Sequence, residues 1–217
     1  MILLYITDRV QFPGDESARQ GALLAKIAEA ARCGVDLIQL REKDLPIREL
    51  EILARTAVRV VRENSPPRTE KPEATTRLLI NSRTDVAITS GADGVHLRSN
   101  DISPSDVQEI WLAGGMRTRA LVSVSCHSVA EVARATSEGA NFAVFAPIFE
   151  KKGAPKAGPV GLAGLQKVCR QKIPVLALGG ITIENARACL DAGAAGIAGI
   201  RLFQENDIAE VVRRLKA

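Results

Sequence analysis

The chain has 217 residues, and 46% of them are hydrophobic, which suits one globular domain and excludes a disordered chain. Aromatic residues make up only 3%, too few to favour binding of single-stranded nucleic acid by base stacking. The formal net charge of +4 is scattered along the chain, so it favours small anionic ligands and does not require nucleic acid. The chain shows no signal peptide, no membrane-spanning run and no C-x-x-C pair, so we expect a cytoplasmic protein with reduced cysteines.

Eight short aliphatic runs alternate with longer amphipathic stretches. Most of the runs lack polar alternation, which indicates parallel strands buried on both faces. The predicted strands are Ile2–Ile6, Val35–Leu40, Arg77–Ile80, Gly94–Leu97, Ala120–Val124, Phe142–Phe145, Pro174–Leu178 and Gly196–Ile200. The clearest helical patterns cover Ala18–Arg32, Ile47–Val61, Ser128–Glu138, Thr182–Ala192 and Asp207–Lys216.

This repeated βα unit predicts one α/β domain over residues 1–217, a single (β/α)8 TIM barrel, with a doubly wound open sheet as the alternative. Ser128, followed by Glu131 three residues later, predicts a capping box at one helix start. Residues 64–76 carry three prolines and mixed charge, which predicts an exposed loop. In both folds ligands bind at the carboxyl ends of the strands.

Three polar side chains follow the second predicted strand. Period-two alternation points Gln39, Arg41 and Lys43 to the same side. An amide, a guanidinium and an ammonium group together suit a diphosphate. The alternative is a solvated cluster paired with Glu42 and Asp44, and the position at a barrel mouth favours the ligand.

The fourth and fifth strands end in residues that suggest a metal ligand and a proton carrier. Asp101 follows the fourth strand, where its carboxylate would hold a Mg²⁺ that bridges phosphate oxygens, or would cap the helix that starts near Pro104. After the fifth strand, Ser125 and His127 are candidates for proton transfer, although His127 also lies at a helix start. His96 lies inside a buried run and is interpreted as structural.

The last three strands end in glycine-rich or basic segments. Residues 146–159 after the sixth strand predict either a lid that closes on an anion or an exposed loop. Gly179-Gly180 after the seventh strand and Gly199-Ile200-Arg201 after the eighth predict a phosphate-binding site. The alternative is a tight turn beside a solvated Arg201.

Taken together, these segments resemble the thiamine phosphate synthase and thiazole tautomerase superfamily. The resemblance runs from Leu4 to Phe203 and rests on several motifs. These are Leu4-Tyr5-Ile6-Thr7-Asp8, Gln39-Leu40-Arg41-Glu42-Lys43, Ile80-Asn81, Ala92-Asp93-Gly94-Val95-His96-Leu97, Ser123-Val124-Ser125-Cys126-His127-Ser128, Pro147-Ile148-Phe149 and Ala177-Leu178-Gly179-Gly180-Ile181-Thr182 with Glu184-Asn185.

The resemblance implies a (β/α)8 barrel that joins an aminopyrimidine methyl diphosphate to a thiazole phosphate and releases diphosphate. It assigns Gln39, Arg41, Lys43 and Asn81 to the pyrimidine diphosphate and Asp101 to Mg²⁺. It places Ser125 beside the reacting pyrimidine. The backbone of Gly180, Gly199 and Ile200 would hold the thiazole phosphate, with Arg201 as a nearby cation. The implied partners are these small molecules, with neither nucleic acid nor membrane, and a homodimer is left open.

Three positions depart from the synthase pattern. Ser82 stands where the synthase has a second metal-binding Asp, and Arg98 stands where it has Gly. Glu150-Lys151-Lys152-Gly153-Ala154 replaces the usual Pro-Thr-x-Thr-Lys, so Lys151, Lys152 or Lys156 would have to supply the phosphate donors. These departures weaken the expected Mg²⁺ site. They also keep open a thiazole tautomerase that uses His127 as acid and base without a metal, and a non-catalytic phosphate-ligand sensor.

Overall fold

The computed structural model describes residues 1–66, 75–150 and 158–216. Its strands are β1 (Ile2–Ile6), β2 (Leu37–Leu40), β3 (Arg77–Asn81), β4 (Gly94–Leu97), β5 (Leu121–Cys126), β6 (Phe142–Phe145), β7 (Val175–Ala177) and β8 (Gly196–Gly199). All are short and rich in Val, Ile, Leu or Ala, as expected of strands covered on both faces. Each predicted strand is present: β1, β4 and β6 have the predicted bounds, and the ends of the other five strands differ by at most two residues.

The strands form one closed parallel barrel in the order β1 to β8, and β8 pairs with β1. Closure excludes the open doubly wound sheet and confirms the (β/α)8 barrel. The register sets His96 of β4 beside Asn81 of β3 and Ser123 of β5. Polar side chains from neighbouring strands are thereby brought to the same end of the barrel.

Helices pack around the barrel and join consecutive strands. They are α1 (Glu16–Arg32), α2 (Ile47–Asn64), α3 (Thr84–Ser90), α4 (Pro104–Ala113), α5 (Val129–Ser137), α6 (Gly161–Val168), α7 (Ala186–Asp191), α8 (Arg201–Gln204) and α9 (Ile208–Lys216), with a short 3-10 turn at Arg9–Gln11. The loop predicted at residues 64–76 begins where α2 ends, and its residues 67–74 lie outside the described part of the chain. No helix in the described ranges is long and apolar enough to span a bilayer.

Two apolar layers fill the molecule. The larger one lies between the strands and the helices, and it includes Tyr5, Trp111 and Phe203. The smaller one fills the barrel itself with Leu4, Ile6, Leu37, Leu79, Leu121, Val144, Leu176 and Ala198. Because these aliphatic side chains close the middle of the barrel, a ligand gains access to the polar side chains of Gln39, His96 and Ser125 from the carboxyl ends of the strands.

Candidate active site

A pocket of about 560 Å³ opens at the carboxyl ends of the strands. Its lining contains the cations Arg41, Lys43, Arg98 and Arg201, and none of the described lining residues is an aspartate or a glutamate. Ile6, Leu178, Ile181 and other apolar groups form the rest of the wall. Positive charge without a carboxylate in the wall favours an anionic ligand.

The pocket brings together most of the predicted site residues. Its lining includes Gln39, Arg41, Lys43, Asn81, Ser125, His127, Gly180, Gly199, Ile200 and Arg201. Asp101 is absent from the lining and lies behind it, and Lys152 lies outside the described residues, as do Lys151 and Lys156. Because 151–157 are not described, the lid predicted at residues 146–159 stays a prediction.

Gln39 and Asn81 form an amide pair in the pocket. The Gln39 Nε2 donates to Asn81 Oδ1 at 2.9 Å, and Asn81 Nδ2 donates to Ser82 Oγ at 3.2 Å. Gln39 is 1% exposed, and its Oε1 has no hydrogen-bond partner among the described residues. A buried carbonyl oxygen without a donor costs about 1–3 kcal/mol, so this oxygen suits a ligand that carries an N–H group.

The segment after β2 is held in place by contacts with Thr7 and Arg9. Thr7 Oγ1 donates to Glu42 at 2.5 Å and accepts the Arg41 backbone N–H at 2.9 Å. The buried guanidinium of Arg9 binds Glu42 at 3.3 Å and Asp44 at 2.6 Å. Both carboxylates that the alternative interpretation paired with Arg41 and Lys43 therefore bind Arg9. The anchored segment holds the Arg41 and Lys43 side chains at the pocket.

His96 is a site residue that the sequence interpretation missed. It lines the pocket, its Nδ1 lies 2.8 Å from Ser123 Oγ, and its Nε2 lies 2.8 Å from Ser125 Oγ. Burial, reinforced by the nearby Arg41 charge, lowers the pKa of His96 to about 4. The ring is therefore neutral at physiological pH, and it orients the Ser125 hydroxyl.

His127 lies at the pocket rim, where its side chain is 55% exposed. Its Nδ1 lies 3.3 Å from Glu131, which also accepts the His127 backbone N–H. Ser128 caps α5 by accepting the Glu131 backbone N–H, but the Glu131 carboxylate reaches back to His127 and not to Ser128. The predicted capping box is thus only half formed, and its second half positions His127.

Asp101 links the ends of β3 and β4. Its Oδ2 accepts from Ser82 Oγ at 2.7 Å and from the Arg98 backbone at 2.8 Å, and its Oδ1 accepts Arg98 Nε and Nη2 at 3.1 and 2.9 Å. Burial opposes ionisation, but these donors outweigh it and hold the pKa of Asp101 below its ordinary value. Ser103, not Asp101, caps α4.

This arrangement does not fit Mg²⁺ well. Mg²⁺ requires oxygen ligands in near-octahedral geometry, whereas both Asp101 oxygens already accept hydrogen bonds. The residue next to it is the neutral Ser82, and no cluster of three His, Cys, Asp or Glu side chains that could hold a metal ion occurs in the described part of the chain. The Mg²⁺ site stays a prediction that the contacts of Asp101 do not favour.

Glycine backbone forms the pocket wall after β7. Gly180 has φ of +65°, and a Cβ there would lie 2.6 Å from Glu150 O and 2.8 Å from Phe149 Cβ. The segment after β6 is held against it, because Phe149 N donates to Gly179 O at 3.0 Å. Asn185 Nδ2 binds Gly180 O at 3.0 Å and fixes the turn. Only glycine allows the chain to pass this closely.

Comparison with known proteins agrees with the closed barrel. The family model for thiamine monophosphate synthase matches residues 5–203. The chain therefore belongs to the thiamine monophosphate synthase family, a family of transferases, and the resemblance noted from the motifs is confirmed.

Individual relatives match over nearly their full length. A putative thiamine-phosphate synthase 2 of Aquifex aeolicus is 40% identical over 94% of this chain and 97% of its own. A thiamine-phosphate synthase of Methanoculleus marisnigri is 36% identical over 93% of this chain and 90% of its own. The solved thiamine phosphate pyrophosphorylase of Pyrococcus furiosus superposes with a TM-score of 0.77 at 29% identity, covering 99% of this chain and 93% of that one.

Proposed function

We propose that this protein joins an aminopyrimidine methyl diphosphate to a thiazole phosphate, giving thiamine phosphate and diphosphate. The observation that carries the proposal is the pocket of four cations without a described carboxylate in its wall, with a buried unpaired acceptor on Gln39. The cations suit the two phosphorylated groups. The Gln39 oxygen suits the amino group of a pyrimidine.

The diphosphate is assigned to the end of the pocket formed by β2 and β3. Arg41 and Lys43 offer a guanidinium fork and a point charge, and Asn81 stands beside them with its amide. In the reaction the pyrimidine methylene–oxygen bond breaks, and the leaving diphosphate carries away the electron pair. Cations already fixed at that position stabilise the growing charge without reorganising.

The remaining pyrimidine cation is captured by the thiazole nitrogen, which forms the new carbon–nitrogen bond. The apolar wall around Ile6, Leu178 and Ile181 limits the access of water to this cation. Ser125, oriented by neutral His96, faces the same space as a hydrogen-bond partner for the pyrimidine. We assign the thiazole phosphate to the backbone at Gly180, Gly199 and Ile200, with Arg201 as its cation.

A synthase accounts for the pocket better than a tautomerase does. Isomerising a thiazole carboxylate phosphate requires an acid and base such as His127 and one phosphate site. It gives no role to Arg41 and Lys43, which follow β2. The tautomerase and the non-catalytic sensor are therefore outcomes of the test below. Cytoplasmic localisation and a homodimer stay predictions.

Incubation of the protein with both substrates, with and without Mg²⁺, tests the proposal by chromatography of thiamine phosphate and diphosphate. We expect equal amounts of the two products. Arg41→Ala should lower kcat/KM by about 10- to 100-fold, as expected for the loss of charge-assisted hydrogen bonds. Arg83→Ala is the matched control, because Arg83 pairs with the exposed Asp85 and does not line the pocket.

Absence of product at saturating enzyme under both conditions would overturn the proposed function. Isomerisation of a thiazole carboxylate phosphate, abolished by His127→Ala, would establish the tautomerase instead. Binding of thiazole phosphate without either reaction would establish the sensor.

A further inference from the structure

Arg98 lines the pocket directly beside Asp101. Its backbone N–H and its side chain both bind the Asp101 carboxylate, and Asp101 N donates to Arg98 O at 3.1 Å. This closed turn fixes the first part of the Arg98 side chain at the end of β4. Ser82 joins the same carboxylate from β3, and Arg134 of α5 donates to the Ser99 carbonyl. The turn is therefore held by three different elements.

The guanidinium is still available to a ligand. Asp101 Oδ1 accepts from Nε and Nη2, and no hydrogen bond joins Nη1 to any described residue. The Arg98 side chain is 61% exposed, whereas that of Asp101 is 11% exposed. The cation thus faces the pocket, and the carboxylate that positions it lies behind.

We propose that Arg98, positioned by Asp101, takes the role of a divalent cation in this pocket and binds the diphosphate directly. The proposal rests on the proposed function only for the identity of the anion. Arg41, Lys43 and Arg98 all line the pocket and offer two guanidinium groups and one ammonium group to one ligand. With these charges present, and with both Asp101 oxygens engaged, diphosphate binding needs no metal.

Isothermal titration of inorganic diphosphate in excess EDTA tests the inference without relying on turnover. We expect the wild-type protein to bind in EDTA and Arg98→Ala to bind about 10- to 100-fold more weakly, the loss typical of one charge-assisted contact. Arg83→Ala should bind as wild type does. The exposed Arg98 side chain can be removed without opening the core, and circular dichroism checks that the variant is folded.

A double variant gives an independent test. Ser82 Oγ lies 2.7 Å from Asp101 Oδ2, so Ser82→Asp combined with Arg98→Gly sets two carboxylates side by side without the guanidinium. Ser82 has φ of +57°, a conformation in which aspartate is among the better-tolerated residues. We expect this variant to bind diphosphate only when Mg²⁺ is added, and Arg98→Gly alone to gain much less from Mg²⁺.

The outcomes separate this inference from the proposed function. Wild-type binding that disappears in EDTA and returns with Mg²⁺ would overturn the role of Arg98, even if both products form in the activity assay. Equal affinity of wild type and Arg98→Ala in EDTA would also overturn it. Metal-free diphosphate binding that depends on Arg98 would support it, even if no thiamine phosphate is made.

Discussion

His96 combines a structural contact with a place in the pocket wall. Its two ring nitrogens bind Ser123 and Ser125, and only a neutral ring can donate one hydrogen bond and accept the other. Protonation would force two donors onto hydroxyls in a buried site beside the Arg41 charge. Protonation of His96 at low pH should therefore weaken the fold and disturb the orientation of the Ser125 hydroxyl.

Acidification should weaken the fold through His96. An ordinary histidine has a pKa near 6.5, and burial lowers the pKa of folded His96 to about 4, so the unfolded chain binds more protons between these values. The stabilisation is present above pH ~6.5 and is lost as pH falls towards ~4. We expect a loss of about 2 kcal/mol between pH ~7 and ~5, measured by urea unfolding.

The variant His96→Gln should lack this part of the pH dependence, because glutamine does not titrate. His127→Gln is the matched control, since His127 is largely exposed and makes no buried contact. If wild type and His96→Gln lose equal stability between the two pH values, His96 does not contribute.

His96 also shows why single residues of the site were hard to predict. In the sequence it stands inside the aliphatic run Gly94–Leu97, where a buried histidine suggests a core position. A barrel strand has a second buried face that points to its interior and reaches the pocket at the upper end. The hydrophobic pattern alone does not show how close to the carboxyl end of its strand a buried residue lies. The contact between Arg98 and Asp101 was likewise not predicted.

At the scale of elements, the 3-10 turn at Arg9–Gln11 supports the segment that carries Arg41 and Lys43. Arg9 is 3% exposed and binds Glu16, Glu42 and Asp44, and the Glu42 side chain is only 1% exposed. The Asp44 carboxylate, followed by Glu16 and Glu42, raises the pKa of Arg9 against the opposing effect of burial. One buried cation therefore ties β1 and α1 to the end of β2.

Removing Arg9 alone should lower the free energy of unfolding more than removing Arg9 and Glu42 together. Arg9→Leu leaves the buried Glu42 carboxylate without its cationic partner, so we expect a loss of about 3–5 kcal/mol in the free energy of unfolding. Arg9→Leu with Glu42→Leu should recover part of that loss, because no buried charge remains. Urea denaturation of the two variants and wild type checks this order, and a double variant less stable than Arg9→Leu would contradict it.

The length and the hydrophobic pattern of each element explain which elements could be predicted from the sequence. Buried aliphatic strands and the long helices α1 and α2 carry a strong hydrophobic pattern, and they were found with ends within a few residues. The short helices α3, α6 and α8, with 7, 8 and 4 residues, were not placed. They have too few turns to show a periodic apolar face, and contacts with the barrel determine them.

At the scale of the whole molecule, 217 residues shared among eight βα units leave short segments at the strand ends. The site is therefore built from residues directly after the strands, and knowing the strand order was enough to assemble most of it. The net charge of +4 alone indicated only a diffuse preference for anions, whereas the strand-end motifs assigned Arg41, Lys43 and Arg201 to ligand binding. Barrel closure concentrates four of those cations on one pocket, while Asp101, Glu42 and Asp44 stay out of its lining.

This distribution predicts two anion subsites in one pocket. Arg41 follows β2 and Arg201 follows β8, so each should serve a different phosphorylated group. Arg41→Ala should weaken binding of inorganic diphosphate about 10-fold or more and change binding of thiazole phosphate by less than about 2-fold. Arg201→Ala should show the reverse pattern. Binding of each ligand is measured by isothermal titration in 50 mM salt or less, where the Debye length is about 14 Å or longer and screening of charges is weak. Added salt should weaken both interactions.

The crossed pattern is the decisive result, because a single shared anion site would respond to either arginine in the same way. Equal losses for both ligands in both variants would therefore contradict two subsites and leave one cationic site that takes either phosphate. A loss confined to diphosphate would keep the β2 subsite and move the thiazole phosphate away from Arg201, onto the glycine backbone after β7 and β8 alone.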